Sequence, residues 1–585
     1  MKTTNIFHVI VVNNLIKIYF WKMIKSLLIL LPFIFFTSNF YGQNKEYQNY
    51  HSPLGIPLIL ASNFGELRPN HFHMGVDFKT KGKTGYNLYS IEEGYVSRIK
   101  VSPYGYGKVV YIDHPNGITS VYAHCREFKG QLDSLVTLTQ EKEQNYAIEI
   151  FPSPNKIKVT KGQVFAVSGN SGSSTAPHLH FEIRETKTEH ALNPLVYGFD
   201  IADHKKPEIR GVKIYGLTER GYQYAKKSVK KVTKKGSENY YISENKISIP
   251  SHFLSKSGGI GFAFDVIDRL DGAGNQCGLY GSILIINGDT IFGQETNRVP
   301  FESTRYVNSH KDYYEYAHLK RKYHKTFRTE ENTLPIYIDE GLGLFHPQPG
   351  GKYNIHYIAY DTKGNTSHLK FELNVLNGPI SKLDKIEKDS TYLSPSKSME
   401  VKKNNVEVEF GTTTTYEPIQ INPLKIETKI GHPEIPVQRA YKIKIKHNGL
   451  QDGKHYLDIL TARGRHKSVN VIYDDNLMIF EPKYFGTYSV KRDSTPPVIT
   501  PNNFSSSTAV LNNAVLKWKI SDKETGINDY DLFIDGKWVL LEYDAKRAMI
   551  KYQRDLKFKG QKELLLIVKD DCGNIKEWKT SILFK

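Results

Sequence analysis

Cysteine is nearly missing from this sequence: there are three in 585 residues, Cys125, Cys277 and Cys572, far apart and odd in number. No disulfide framework and no cysteine-built zinc site can be assembled from them, and they read as small buried residues. After residue 36 no apolar run approaches membrane length. Methionine is scarce, at six, and no stretch shows the sustained apolar period of a long amphipathic helix. The H-E-x-x-H phrase of many zinc peptidases does not occur, and no recognisable nucleic-acid module is present.

What is present points to sheets. Tyrosine (38) and phenylalanine (29) are abundant and interleave with β-branched residues, a composition that favours strands. The length implies three to five domains, and 39% hydrophobic residues suffice for several cores. A formal charge of +18 suits any polyanion, whether nucleic acid, anionic lipid or an anionic cell wall, and selects none of them. The N-terminus reads Met23-Ile24-Lys25, then apolar residues from Leu27 to Phe36, then small and polar residues before Gly42-Gln43. That is the layout of a secretory signal over residues 1–42, with Met23 as the true start, and export follows as an expectation. An uncleaved N-terminal anchor is the competing reading.

From about residue 50 to 200, short apolar runs such as Gly94 to Ile99, Lys108 to Ile112 and Gln163 to Val167 alternate with Gly, Asn, Pro and Ser, which predicts a compact all-β domain. Two later phrases, Asp203 to Ile209 and Asp493 to Ile499, share an acidic start, a proline and an apolar strand, and each reads as a domain entrance. Three Asp/Gly/Asn turns, Asp271 to Asn275, Asp361 to Asn365 and Asp570 to Asn574, suit the joint between antiparallel strands. They resemble the penultimate hairpin of bacterial immunoglobulin-like sandwiches. The expected layout is therefore an immunoglobulin-like β region over 203–378, a further β-domain over 379–492 with strands at 398–410 and 440–445, and a C-terminal immunoglobulin-like sandwich over 493–585.

Two phrases hold the informative histidines: His71-Phe72-His73-Met74-Gly75-Val76-Asp77 and His178-Leu179-His180-Phe181-Glu182-Ile183. In a strand, residues two apart share a face, so His178 and His180 address one spot. His73 and Asp77 can converge across a turn at Gly75. His73, Asp77 and His180 together offer two nitrogens and one oxygen, a set that leaves a fourth zinc position for water. His71 rivals His73, but only His73 has glycine at +2 and aspartate at +4. Beyond residue 203 the spacing shows no second set of this kind.

These phrases occur in order with Gly105 to His114, Tyr122-Ala123-His124, Lys161-Gly162-Gln163 and Gly169 to Glu182. Over about 140 residues the series resembles the lysostaphin-type zinc metallopeptidases that cut peptidoglycan cross-bridges. The resemblance implies one zinc ion per chain held by His73, Asp77 and His180, with His124 and His178 as the catalytic histidines flanking the reacting water and the developing oxyanion. His114 matches a turn position and is expected to be structural. Ala176 stands where the family usually has glycine, and Cys125, next to His124, is expected to point away from it. The segment from Arg126 to Thr160 exceeds the usual spacer and is expected to form a loop or hairpin beside the groove.

The function expected from this resemblance is an exported zinc endopeptidase acting on peptide stems or cross-links of peptidoglycan, in the periplasm or cell envelope. The later β-domains would place it on the wall or on envelope proteins, and no nucleic acid is expected as partner. The sequence of domains also resembles large exported members of this family from Gram-negative bacteria of the Bacteroidetes type. Two rivals are a degenerate regulator of another wall hydrolase, which would have lost ligands that are all present here, and a protease of secreted proteins. Short linkers between modules suggest that a chain ending near Phe199 would work alone.

Overall fold

The computed structural model describes residues 49–585 except 229–231, 339–340, 382–390, 450, 463, 506–509 and 511–513. The signal-like leader and Met23 lie outside the described residues. Among the described residues no helix is long and apolar enough to cross a membrane, and the architecture is all-β, as the composition implies.

The strands expected near 94–99, 108–112 and 163–167 form as Gly94–Val101, Lys108–Asp113 and Val164–Val167. The larger sheet of this first domain runs, in spatial order, Leu60–Ser62, Val76–Lys79, His178–Glu185, Ile118–Cys125, Lys108–Asp113, Gly94–Val101 and Ile148–Ile150. A smaller sheet joins Asn87–Tyr89, Val164–Val167 and Glu127–Phe128. Along His178–Glu185 the side chains alternate, so Leu179, Phe181 and Ile183 turn to one face and His178, His180 and Glu182 to the other. On the apolar face Phe181 meets Phe78 and Tyr122 from the flanking strands, with ring centroids 6.1 and 5.2 Å away. Tyr122 in turn meets Phe165 of the smaller sheet at 4.8 Å. Each such buried aromatic stabilises the fold by roughly 2–3 kcal/mol. The packed face holds the central strand still, and its opposite face carries the histidines.

The segment 126–160 departs from expectation. It contains a 13-residue helix, Gln131–Glu143, closed by Gln144 in the left-handed conformation at φ 48°. Only Leu132, Val136 and Gln140 of this helix are buried. One buried residue per turn is a stripe too narrow to announce a helix by its period.

Downstream lie three two-layered β-sandwiches. In the first, Phe264 and Tyr357 come from opposite sheets and stack with centroids 3.7 Å apart. The second has a core that includes Val408, Ile443, Leu457 and Phe480. In it the stretch 398–410 forms a hairpin of Met399–Lys403 and Val406–Phe410. In the third, Trp518 and Trp578 of the two sheets meet at 5.9 Å.

The recurring phrases lock together. In Asp361 to Asn365 the Asn365 amide donates to the Asp361 carboxylate at 2.7 Å and to the Asp203 carbonyl at 3.2 Å. In Asp570 to Asn574 the Asn574 amide donates to Asp570 at 2.8 Å and to the Asp493 carbonyl at 3.2 Å. The hairpin asparagine thus pins the domain entrance twice in one chain. Asp271 to Asn275 behaves differently. It is closed by a single antiparallel bridge between Asp268 and Cys277 and leads from Gly259–Ile267 in one sheet to Gly281–Ile286 in the other.

The expected loose joint after residue 200 is absent. Arg298–Val299 of the first sandwich pairs with Ala191–Leu192 and so extends the sheet of the first domain. Backbone pairing of this kind makes a shared sheet rather than a flexible linker.

Candidate metal centre

His178–Glu185 lies between Val76–Lys79 and Ile118–Cys125, with His180 opposite Asp77 on one side and Ala123 on the other. His73 reaches the same spot from the turn before Val76. Gly75 makes the approach possible, since a Cβ there would lie 2.4 Å from the Phe181 carbonyl oxygen and 2.7 Å from Glu182 Cγ. The structure brings the three expected ligands together: His73 Nε2 is 3.1 Å from Asp77 Oδ1 and 3.1 Å from His180 Nδ1, and His180 Nδ1 is 2.9 Å from Asp77 Oδ1.

The surroundings decide which nitrogens face inward. His73 Nδ1 donates to the Asn63 carbonyl at 2.8 Å, and His180 Nε2 donates to the Glu182 carboxylate at 2.8 Å. With those protons directed outward, two nitrogen lone pairs and a carboxylate oxygen converge with no donor among them. Acceptors this close repel unless a positive charge joins them. An N₂O set of this geometry suits zinc. Without a cation the cluster draws a proton instead: burial alone would lower His180, yet its bonds to Asp77 and Glu182 push it up to about 9. Burial likewise opposes ionisation of Asp77, but His73 and the bonds from His178, His180 and His73 hold its carboxyl well below the usual range.

His124 and His178 line the same spot. Their rings lie 4.8 Å apart, and His124 is 5.9 Å from the His180 ring. His124 Nδ1 donates to the Ser171 carbonyl at 2.9 Å and His178 Nδ1 to the Ala176 carbonyl at 2.8 Å, which leaves each Nε2 as an acceptor. His178 Nε2 stands 3.4 Å from Asp77 Oδ1. His124 sits within a strand at φ 60°, a conformation that costs a non-glycine residue about 1 kcal/mol or more. The register against Lys108–Asp113 slips at this point, and such a bulge re-aims a side chain. Burial, with the nearby His178 and His180, lowers His124 to about 3.

The remaining histidines separate as the sequence suggested. His71 is exposed and bonds the Pro69 carbonyl. His114 is buried between the Glu93 carbonyl and the Ser120 hydroxyl, at 2.8 and 2.7 Å, which is a structural role. Cys125 is buried, with its thiol pushed up to about 12 by desolvation. Its Sγ faces the Tyr122 carbonyl at 3.5 Å.

Other participants were not singled out by sequence. Glu182, 0% exposed, accepts from His180, from the Tyr106 hydroxyl and from Arg184 at 2.7 Å. Burial opposes its charge, but Arg184 and His180 hold it down at about 2. Tyr106 also stacks on His180 with centroids 5.1 Å apart. Arg68 donates to Ser62 at 2.7 Å and lies 3.7 Å from Asp77 Oδ2. The phrase H-L-H-F-E already placed Glu182 on the face of His180, two residues on, and that period was the available signal.

The far side of the site touches the third sandwich. Lys546 donates to the Asn170 carbonyl, Tyr104 meets Tyr543 edge-on at 6.4 Å, and Lys108 lies 3.9 Å from Glu542. Between the helix Gln131–Glu143 and this sandwich lies a cavity of about 370 Å³ lined by Val136, Gln140, Tyr146, Val515 and Lys551 among others. Beyond residue 203 the fold also gathers carboxylates that the spacing kept apart. Asp203, Asp268 and Asp361 form one trio with oxygens within 4.8 Å, and Asp493, Asp522 and Asp570 form a second. They arrive from separate segments, which no local spacing can show.

Part of the first domain is similar to known proteins. Residues 71–141 match the model of peptidase family M23. A Haemophilus influenzae protein described as an uncharacterized metalloprotease is 31% identical over 131 residues, which is 22% of this chain and 21% of that relative. The chain thus matches about a fifth of the length of that curated protein. Among solved structures, a mutant catalytic domain of the prophage-encoded M23 protein EnpA from Enterococcus faecalis aligns with 26% of this chain and 96% of its own, at 25% identity and a TM-score of 0.19. The catalytic domain of lysostaphin from Staphylococcus simulans aligns with 26% and 92%, at 22% identity and a TM-score of 0.17. Within the first domain, residues 71–141 are thus similar to peptidase family M23.

Proposed function

We propose that this chain is an exported zinc-dependent endopeptidase that hydrolyses peptide stems or cross-links of peptidoglycan in the periplasm or cell envelope. The observation that carries the reading is the convergence of His73, Asp77 and His180 as an N₂O set, with two further histidines beside it. Zinc bound by these three residues supplies Lewis-acid polarisation of a carbonyl and acidifies water.

The chain's own residues supply the rest. Asn63 and Glu182 fix the proton-bearing nitrogens of His73 and His180 on the outer side. His124 and His178, each tethered through Nδ1 to a backbone carbonyl, present Nε2 to take a proton from the attacking water and to deliver one to the leaving amine. Once protonated, an Nε2–H also stabilises negative charge on the carbonyl oxygen. The sandwiches after residue 203 support a role in placement on the wall or on envelope proteins.

The test is digestion of purified peptidoglycan, with identification of the released fragments by mass. New amino and carboxyl termini at a defined stem or cross-bridge position are expected, and their loss with His180→Ala. Intact wall material together with cleavage of an unrelated secreted protein would overturn the substrate assignment.

A further inference from the structure

We infer that the first downstream sandwich completes the surroundings of His73, so that the metal centre belongs to two domains rather than one. The inference rests on the zinc reading above and adds that Asn63, Glu66 and Lys322 are positioning residues for that site.

The two histidine ligands are supported from different places. His180 bonds Glu182, which in turn accepts from Tyr106 and Arg184, all residues of the peptidase domain, although Arg184 also packs on the Phe301 ring of the sandwich at 4.3 Å. His73 is held by residues that are themselves held from outside it. Its Nδ1 donates to the Asn63 carbonyl at 2.8 Å. The Asn63 side chain is clamped in both directions by one residue of the sandwich: Asn63 Nδ2 donates to the Gly278 carbonyl at 2.9 Å, and Gly278 N–H donates to Asn63 Oδ1 at 2.7 Å. Gly278 has to be glycine for this approach, because a Cβ there would lie 2.6 Å from Glu66 Cα.

A second link runs through Ser62. Its hydroxyl is 3.2 Å from His73 Nδ1 and donates to the Glu66 carboxylate. Glu66 Oε1 pairs with Lys322 Nζ at 3.0 Å, where the side chains are only 12% and 10% exposed. Next to His73 in the chain, Phe72 N–H donates to Thr304 Oγ1 at 2.9 Å. Buried polar groups of this kind are expensive to leave unmatched. The strand pair Ala191–Leu192 and Arg298–Val299 keeps the two domains in register beneath them. A shift of the sandwich would therefore tilt His73 through Asn63 and Ser62.

Residues that orient a metal ligand typically change metal affinity 10- to 100-fold when removed. The test measures zinc dissociation constants of the full chain by competition with a chelating dye, alongside thermal unfolding of the metal-free protein. Asn63→Ala releases the carbonyl that fixes His73 without removing a charge, and Lys322→Met strands the Glu66 carboxylate. Tyr316→Phe is the control, since its hydroxyl crosses the same boundary to the Leu67 carbonyl at 3.0 Å without reaching His73. We expect Asn63→Ala and Lys322→Met to weaken zinc binding by about 10- to 100-fold and Tyr316→Phe to leave it within about twofold, whatever each does to unfolding. If Lys322→Met does not fold, Asn63→Ala decides. Zinc binding by Asn63→Ala within about twofold of the unaltered chain would overturn the inference. An unaltered chain that binds no zinc would instead overturn the reading beneath it.

Discussion

Glu182→Gln is the most informative single change at the centre, because it removes a charge and almost no volume. The carboxylate serves two sets of donors at once, with Oε1 receiving His180 Nε2–H at 2.8 Å and Oε2 receiving Arg184 Nε at 2.7 Å. An amide has one accepting end. With its oxygen toward Arg184, its NH₂ faces His180 Nε2 and the Tyr106 hydroxyl, and a match there requires the proton of His180 to move to Nδ1, the nitrogen needed for the metal. With its oxygen toward His180, the NH₂ faces the Arg184 guanidinium. The first arrangement spoils the ligand and the second strands a buried cation. Loss of the orienting carboxylate predicts zinc binding weaker by about 10- to 100-fold, or roughly 1.4–2.7 kcal/mol.

Stability should fall as well. Breaking a buried pair costs about 3–5 kcal/mol, here toward the lower end. Arg184 keeps Glu189 at 3.4 Å and lies over the Tyr111 and Phe301 rings at 5.2 and 4.3 Å. Chelator competition gives the zinc constant, and urea unfolding of the metal-free chain gives the stability change. Glu182→Gln binding zinc within about twofold of the unaltered chain would refute the tautomer argument, even if stability fell.

His124→Ala and His178→Ala should keep zinc bound and lose about 100- to 10,000-fold in turnover; near-normal hydrolysis of cross-linked wall fragments by either would remove that residue from the mechanism. Asp203 carries a pH signature: burial and the neighbouring Asp361 raise its carboxyl from near 3.8 to about 7, so the folded state binds the extra proton in that window and stability falls as pH rises through it. Asp203→Asn should flatten the change in melting temperature between pH 5 and pH 8, and an unchanged slope would show that Asp203 is not its source. A chain ending at Phe199 loses Gly278, Lys322, Thr304 and the added strand Arg298–Val299. It should unfold or bind zinc more weakly than the full chain in the dye competition, and normal binding by a well-folded fragment would contradict that.

How much of this was legible in the sequence follows from the range over which each feature is decided. The pairing of His178 with His180 and Glu182 on one face depends only on the two-residue period of a strand, and the approach of Asp77 to His73 depends on a short turn with glycine at its centre. The backbone dictates both locally, so the convergence of His73, Asp77 and His180 could be read from spacing and from the resemblance it carries. The all-β class likewise follows from local composition, and the hairpins at Asp361 to Asn365 and Asp570 to Asn574 from turn chemistry.

Other features are decided by contacts that no local pattern encodes. The helix Gln131–Glu143 exists because three residues find a surface to cover, and its own period is too weak to announce it. His124 is aimed by a left-handed bulge that only pairing with Lys108–Asp113 produces. Asp271 to Asn275 has the composition of a hairpin and is closed by one bridge, Asp268 with Cys277, but the packing of two sheets carries the chain on into a crossing. The support of His73 depends on Gly278 and Lys322, 215 and 256 residues from their partners. Sequence by itself therefore determined which side chains converge at the centre, because residue type and strand period are local properties. Tertiary structure alone decided what holds that centre in place, because a buried polar group is satisfied by whichever segment the fold brings against it.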